Sequence, residues 1–174
     1  MDVYVSAIVS EFTYLGVRFT HTGNMSSAIK ALSDQALRAY CNLLSIFERV
    51  KLNVKTKLYL FDAMIVPILL YGSEVWGVFN LKEVDKLHMR FCKYVLGIKR
   101  QTPNAAVYGE LGRLPLAVLC RERCLKCWLK IRKHVNSPMY SLYLDQCNNV
   151  NRTCWALKIN SNIDHWFSLH KATF

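Results

Sequence analysis

Acidic residues are scarce in this chain, with 12 Asp and Glu against 23 Lys and Arg over 174 residues. A two-metal phosphoryl-transfer centre needs several carboxylates gathered around its ions, and no two aspartates adjoin anywhere in the sequence. Glycine is also sparse: the seven present are scattered, and none builds the Gly-rich loop that cradles phosphates. There is no Ser/His/Asp set and no paired carboxylates at catalytic spacing, so no catalytic residue is expected. The longest apolar run, residues 58–79, is interrupted by Asp62, Pro67 and Glu74. A membrane span needs about 20 residues nearly free of charge, so no membrane partner is expected. The chain opens on Met1-Asp2 with no basic leader segment. The seven cysteines are odd in number and suit no disulfide frame, which points to a reducing, intracellular compartment, nucleus or cytoplasm. Repeats and low-complexity segments are absent.

What is present is a core. The composition is 52% hydrophobic and 20% charged, which argues against disorder and for one folded domain. The net charge of +11 favours a polyanionic partner, either nucleic acid or an acidic membrane surface. Residues 3–20 are rich in Val, Tyr, Ile and Phe and read as β, with Val3, Val5, Ile8 and Val9 a candidate unpaired edge strand. A turn follows at His21-Thr22-Gly23-Asn24, and Asn24 or Ser26 is placed to cap a helix. Ile29, Leu32, Ala36, Tyr40, Leu43, Leu44 and Phe47 then recur at helical spacing. A second helix runs over 54–71 with Leu58, Phe61, Met64, Ile65 and Ile68 inward, and Pro67 bends or breaks it. Tyr71-Gly72-Ser73-Glu74 reads as a tight junction. Asn80-Leu81-Lys82-Glu83 has the capping-box pattern, opening a helix that buries Val84, Leu87, His88, Phe91, Val95 and Leu96 and stops at Gly97. Prolines 103, 115 and 138 open further helices, the one from Pro115 reaching residue 135. The polar tail beyond Cys147, with Trp155, has no clear pattern. The expected fold is mainly α, a small bundle behind a short β-segment: residues 1–24, a helical unit over 25–135, and a short helical or irregular tail over 136–174.

The positive charge is local. Residues 82–133 hold thirteen of the Lys and Arg and only four of the acids. Lys82, Lys86, Arg90 and Lys93 fall on one helical stripe, followed by Lys99 and Arg100; Arg123, Lys126, Lys130 and Lys133 form another stripe. Rows of this kind are either solvated helix faces or ridges that follow a phosphate backbone, releasing counter-ions as they bind. The segment Cys120-Arg-Glu-Arg-Cys124-Leu-Lys-Cys127 matches the C-x3-C-x2-C spacing of iron–sulfur enzymes. Yet Leu116, Leu119, Cys120, Cys124, Cys127, Trp128, Ile131 and Val135 form one helical stripe, on which buried thiols pack as small apolar groups. His88 with Cys92 is at most half a zinc site. Core packing is the favoured reading of all these cysteines, and no cofactor is expected.

Three segments in order resemble one family. Phe12-Thr13-Tyr14-Leu15-Gly16-Val17 with Thr22-Gly23-Asn24 looks like the strand that closes the palm of non-LTR (LINE-type) retrotransposon reverse transcriptases. Val54-Lys55-Thr56-Lys57-Leu58-Tyr59 leads to Pro67-Ile68-Leu69-Leu70-Tyr71-Gly72-Ser73-Glu74-Val75-Trp76, the most specific string. Arg90-Phe91-Cys92-Lys93-Tyr94-Val95-Leu96-Gly97 and Glu110-Leu111-Gly112-Arg113-Leu114-Pro115-Leu116 come next, then a helix carrying Arg123, Lys126, Trp128, Lys130 and Ile131. The resemblance implies a palm-edge strand and the helical thumb, which grips the template–primer duplex through its backbone. It places the catalytic aspartates, and the Mg²⁺ they would hold, upstream in a palm this chain lacks. The chain then reads as a fragment, not an enzyme by itself, whose partners are an RNA/DNA heteroduplex or other duplex, bound without sequence specificity, and the missing palm. The alternatives are a metal- or iron–sulfur-binding helical protein using Cys120, Cys124 and Cys127, or an inert orphan or interaction protein. A buried Trp76 and a buried Glu74 with an arginine partner are expected at the helix junction.

Overall fold

The structure, a computed structural model, describes residues 9–148 and 155–171. It is mainly helical behind one hairpin, as the sequence pattern predicts. Val3, Val5 and Ile8 lie outside the described residues. Strands β1 (Glu11–Tyr14) and β2 (Val17–Thr20) pair antiparallel, Phe12 opposite Phe19 and Tyr14 opposite Val17. Leu15 and Gly16 make the turn with φ of 47° and 81°, the doubly left-handed geometry that suits the twist of a two-residue hairpin loop. A leucine there is strained. The Tyr71 hydroxyl donates to the Leu15 carbonyl at 2.6 Å, fastening the turn to the helices.

Helix α1 (Ser26–Arg49) buries Ile29, Leu32, Ala36, Tyr40, Leu43 and Phe47, the stripe expected from its periodicity, with Leu44 partly covered. Asn24 acts at its start, its side-chain oxygen accepting from the Ser26 N–H at 3.0 Å. Helix α2 (Val54–Met64) is capped by Asn53, which accepts from the Thr56 N–H at 2.8 Å. The break imposed by Pro67 comes at Ile65, and α3 (Val66–Leu69) restarts with proline in its first turn, where the missing N–H costs no bond. Met64, the last residue of α2, is 46% exposed, not inward as its spacing suggests, while Ile65 beside it is buried. Gly72, at φ 65°, starts α4 (Ser73–Trp76), and the buried Trp76 indole donates to the Tyr71 carbonyl at 2.8 Å.

Helix α5 (Lys82–Leu96) does not form the expected capping box: its N-cap is Leu81, with no side-chain cap. Asn80 accepts from the Lys82 N–H at 3.1 Å, while the Glu83 carboxylate lies 3.7 Å from Lys86. Gly97 closes α5 in the left-handed conformation at φ 64°. Helices α6 (Asn104–Leu111) and α7 (Leu116–Lys133) start just after Pro103 and Pro115, and α8 (Pro138–Asn148) starts at its proline. The tail holds a further long helix, α9 (Trp155–Lys171). Among the described residues no helix is long and apolar enough to cross a membrane.

The core centres on three buried rings from three helices. Phe61 stacks on Phe91 at 3.9 Å, and Tyr40 meets both edge-on at 6.1 Å. One apolar cluster runs from Val17 on the hairpin to Cys120 on α7, so hairpin and helices share a core. A smaller one joins Cys124 to Ile159 and Ile163 of α9, beside Val78, Trp128 and Trp155. Asn160 of α9 accepts from the Trp128 indole at 3.2 Å and the Tyr143 hydroxyl at 2.9 Å, so one side chain ties α7, α8 and α9.

The tightest crossing is between α4 and α7. A β-carbon added at Gly77 would lie 2.6 Å from the Ser73 carbonyl oxygen, 2.7 Å from that of Cys120 and 2.9 Å from the Cys124 sulfur. Two of these three neighbours are backbone atoms that cannot swing aside. Gly77→Ala is therefore expected to destabilise the fold by about 2 kcal/mol, read as a lower denaturation midpoint. An unchanged midpoint would mean that α4 and α7 do not approach this closely.

Candidate nucleic-acid interface

The first basic stripe lies along a broad groove. Residues of α5 from Lys82 to Tyr94 run its length; Ser33, Asp34 and Leu37 of α1 form one wall; Tyr108, Pro115, Ala117 and Arg121 form the other. The groove encloses about 1240 Å³. Lys82, Lys86, Arg90, Lys93, Arg100 and Arg121 face it, against the carboxylates of Asp34, Glu83 and Asp85. Two of those acids are already engaged. Glu83 faces Lys86, and Asp85 accepts from the Ala117 N–H at 3.0 Å, capping an α7 that has no side-chain cap of its own. Burial raises the Asp85 pKa above the ordinary carboxylate value, although the Ala117 N–H pulls it down. Lys93 donates to the Arg100 carbonyl at 2.8 Å, which folds the loop after α5 back onto the groove and leaves Lys99 exposed beside it.

The second stripe lies elsewhere. Arg123 lines a separate recess of about 700 Å³ between the hairpin and α3–α4, and donates to the Leu70 carbonyl at 3.0 Å. At about 100° per residue, Arg123, Lys126, Lys130 and Lys133 lie about 120–180° around α7 from Arg121, which faces the groove. Lys126, Lys130 and Lys133 are exposed and line neither cavity, and Lys126 pairs with Glu122 at 2.6 Å. The structure thus brings together Lys82, Lys86, Arg90, Lys93 and Arg100, adds Arg121, and sets the α7 row apart.

The cysteines are packed as core residues. Cys120 and Cys124 are fully buried and Cys127 is partly so. Burial pushes the first two thiols up to about 12 and raises the third. The Cys124 thiol lies 2.9 Å from the Ser73 carbonyl, to which it donates. Thiols held protonated are poor metal ligands, and among the described residues no three His, Cys, Asp or Glu converge on a metal position.

The expected arginine–carboxylate pair is formed by other residues. Glu74 is only partly buried, and its carbonyl, rather than its carboxylate, is what accepts, from the Trp155 indole at 3.1 Å. The pair is Arg113 with Asp62: both guanidinium ends meet the carboxylate, one of them at 3.0 Å, while Nε–H donates to His88 Nε2 at 3.2 Å. The Nε2 lone pair of His88 thus faces a cation. Its ring lies between Phe61 and Tyr108 at 5.9 and 5.5 Å. Its proton falls on Nδ1, which is buried and has no partner among the described residues.

Burial, reinforced by Arg113, lowers the His88 pKa to about 4. The unfolded chain therefore binds the proton more readily than the folded one. His88 contributes stability above pH 6.5, and the contribution is lost as pH falls from there through about 4. It is on the order of 3 kcal/mol. Thermal melts between pH 7 and pH 4 should show this loss, and His88→Gln should flatten the profile over that window. An equally steep profile in the variant would remove His88 as the cause. No protein-family model matches this chain, and no curated protein or solved structure is significantly similar to it, so what the groove does has to be read from its own residues.

Proposed function

We propose that this chain binds the backbone of a nucleic-acid duplex along the α5 groove, as the thumb-like part of a protein of the non-LTR retrotransposon reverse-transcriptase type. The observation that carries the reading is the alignment of Lys82, Lys86, Arg90 and Lys93 along one open groove, with Arg100 and Arg121 on its rim. Over the 11 helical steps from Lys82 to Lys93 the row spans about 16 Å of helix, or about five base pairs of duplex. Cations on flexible stems set along a channel neutralise phosphates but read no base edge, so the binding is non-specific in sequence. An RNA/DNA heteroduplex suits such a groove because protein recognition of A-like helices relies on shape and backbone. The ordered motifs from Phe12 to Ile131 support the family reading. This reading assigns the chain no catalysis of its own: polymerisation would require carboxylates and Mg²⁺ supplied by a palm.

Fluorescence anisotropy on a labelled heteroduplex tests this. Affinity should fall steeply with salt. Lys82→Glu with Arg90→Glu should weaken binding at least about tenfold and make the salt dependence shallower by about 2 in log–log slope. Lys130→Glu with Lys133→Glu should have a much smaller effect. Binding indifferent to ionic strength, no binding at low salt, or equal losses in the two variants would each overturn the proposal.

A further inference from the structure

The α5 groove is slim, and its floor is not charged. From Lys82 to Tyr94 it runs along 12 helical steps, about 18 Å. Its volume of 1240 Å³ spread over that length leaves a mean cross-section of about 70 Å², or roughly 9 Å across. An α-helix with its side chains is about 10–12 Å thick, and the major groove of a duplex is by itself about 12 Å wide. Neither a helix nor a whole duplex fits inside, whereas one nucleic-acid strand is slimmer than both. Lys82, Lys86, Arg90, Arg100 and Arg121 are exposed along the groove. Leu87 and Met89, which also line it, are buried, and Leu37, Ile98 and Tyr108 are half-buried. The exposed Tyr94 lines one end; Phe79, with the Lys158 ammonium 4.0 Å over its ring, lines the other. Asp34, Glu83 and Asp85 offset part of the positive charge, so charge alone does not decide what fills the groove. A paired strand offers phosphates to the cations and nothing to the apolar floor, because its bases are turned towards their partners. An unpaired strand offers both phosphates and flat base faces.

We infer that the groove receives a single unpaired strand, with its phosphates on the exposed cations and its bases against Tyr94, Tyr108 and the apolar floor. This rests on the proposed nucleic-acid reading and refines it: the backbone contacts are those already proposed, and an unpaired strand adds contacts that a paired one cannot make. The preferred partner is therefore a heteroduplex carrying a single-stranded extension. Over about 18 Å one strand at duplex spacing presents about five phosphates and both strands about ten. The six cations lining the groove, Lys93 included, match one strand. Stacking on a ring tolerates any sequence, since every base has a flat face, so the binding stays non-specific. An extended acidic peptide would also meet the cations, but it brings no run of flat apolar faces to the floor.

The test compares three ligands on the whole chain at one salt concentration, by fluorescence anisotropy. One is a blunt, loop-closed heteroduplex hairpin. The second carries an unpaired extension of about six nucleotides, enough to run the length of the groove. The third carries an extension with the same number of phosphates but no bases. The base-bearing extension should bind at least about tenfold more tightly than the baseless one. That comparison needs no substitution, so it does not depend on how a variant folds. Tyr108→Ala should narrow the gap and Tyr108→Phe, which keeps the ring, should preserve it; Tyr94→Ala should narrow it as well. Equal affinity for the two extensions, with Lys82→Glu and Arg90→Glu together weakening both, would overturn the inference and leave the groove reading standing. If that double variant weakens neither, or if none of the three ligands binds, both are overturned. Displacement of the base-bearing extension by a polyglutamate peptide of equal charge at equal affinity would also overturn the inference, by showing a groove open to any slim polyanion.

Discussion

One guanidinium holds the frame on which the groove is built. Arg113 sits in the turn between α6 and α7 and is largely buried, and its donors reach Asp62 on α2 and His88 on α5. Three segments far apart in sequence are fixed by one planar fork. A lysine could not replace it, because a single ammonium cannot meet a carboxylate on two sides and an imidazole on a third. Asp62 is about half exposed, so the pair's worth lies nearer that of a screened surface bridge than that of a dry one. The larger constraint is negative: removing Asp62 would leave a mostly buried charge without its carboxylate. The Asp85 cap on Ala117 adds a second tie between α5 and the start of α7. One wall of the groove is thus held by polar bonds, while α5 and the α1 wall are held by the ring cluster of Tyr40, Phe61 and Phe91.

These two kinds of tie differ in how well a sequence reveals them. The burial of α1, the glycine stop at Gly97 and the proline starts of α6, α7 and α8 are legible because each depends on residues within a turn or two. Met64 fails because the inward line of α2 runs through Phe61 to Ile65, and Met64, one residue off that line at the last position of the helix, stays exposed. Asp62 and Arg113 are 51 residues apart, and nothing local marks either as the other's partner. Glu74 reads as the buried carboxylate from the Tyr71-Gly72-Ser73-Glu74-Val75-Trp76 string, yet among the described residues it is its backbone oxygen that accepts. Helix α9 hides for a related reason. Among the residues of α9 whose burial is described, it buries the strip Ala156, Ile159 and Ile163, and the asparagine that interrupts its apolar pattern accepts from Trp128 and Tyr143.

The charge rows show the limit of periodicity more sharply. Spacing shows that cations share a helix face, but not whether they are free. Arg123 donates to a carbonyl, Lys126 pairs with Glu122, and Lys93 closes a loop. Several residues of the two rows thus hold the structure together as well as facing solvent. The α5 row gains its distinctive position from α1 and α7, whose walls turn a helix face into a channel, and that placement comes from the tertiary ties above.

The same excess charge acts on folding and on binding in opposite senses. Cations crowded along α5 repel one another in the folded state, and with 12 acids in the whole chain little internal counter-charge relieves them. Added salt screens that repulsion and favours the compact form. It also weakens the driving force for a polyanion, whose binding releases condensed counter-ions. A phosphate backbone in the groove, as proposed, would add negative charge to that of Asp34, Glu83 and Asp85 and relieve the repulsion among its cations. The shortage of acids thus leaves the cations of the groove with little counter-charge from the chain itself, and that is the physical ground on which the proposed binding of a phosphate backbone rests.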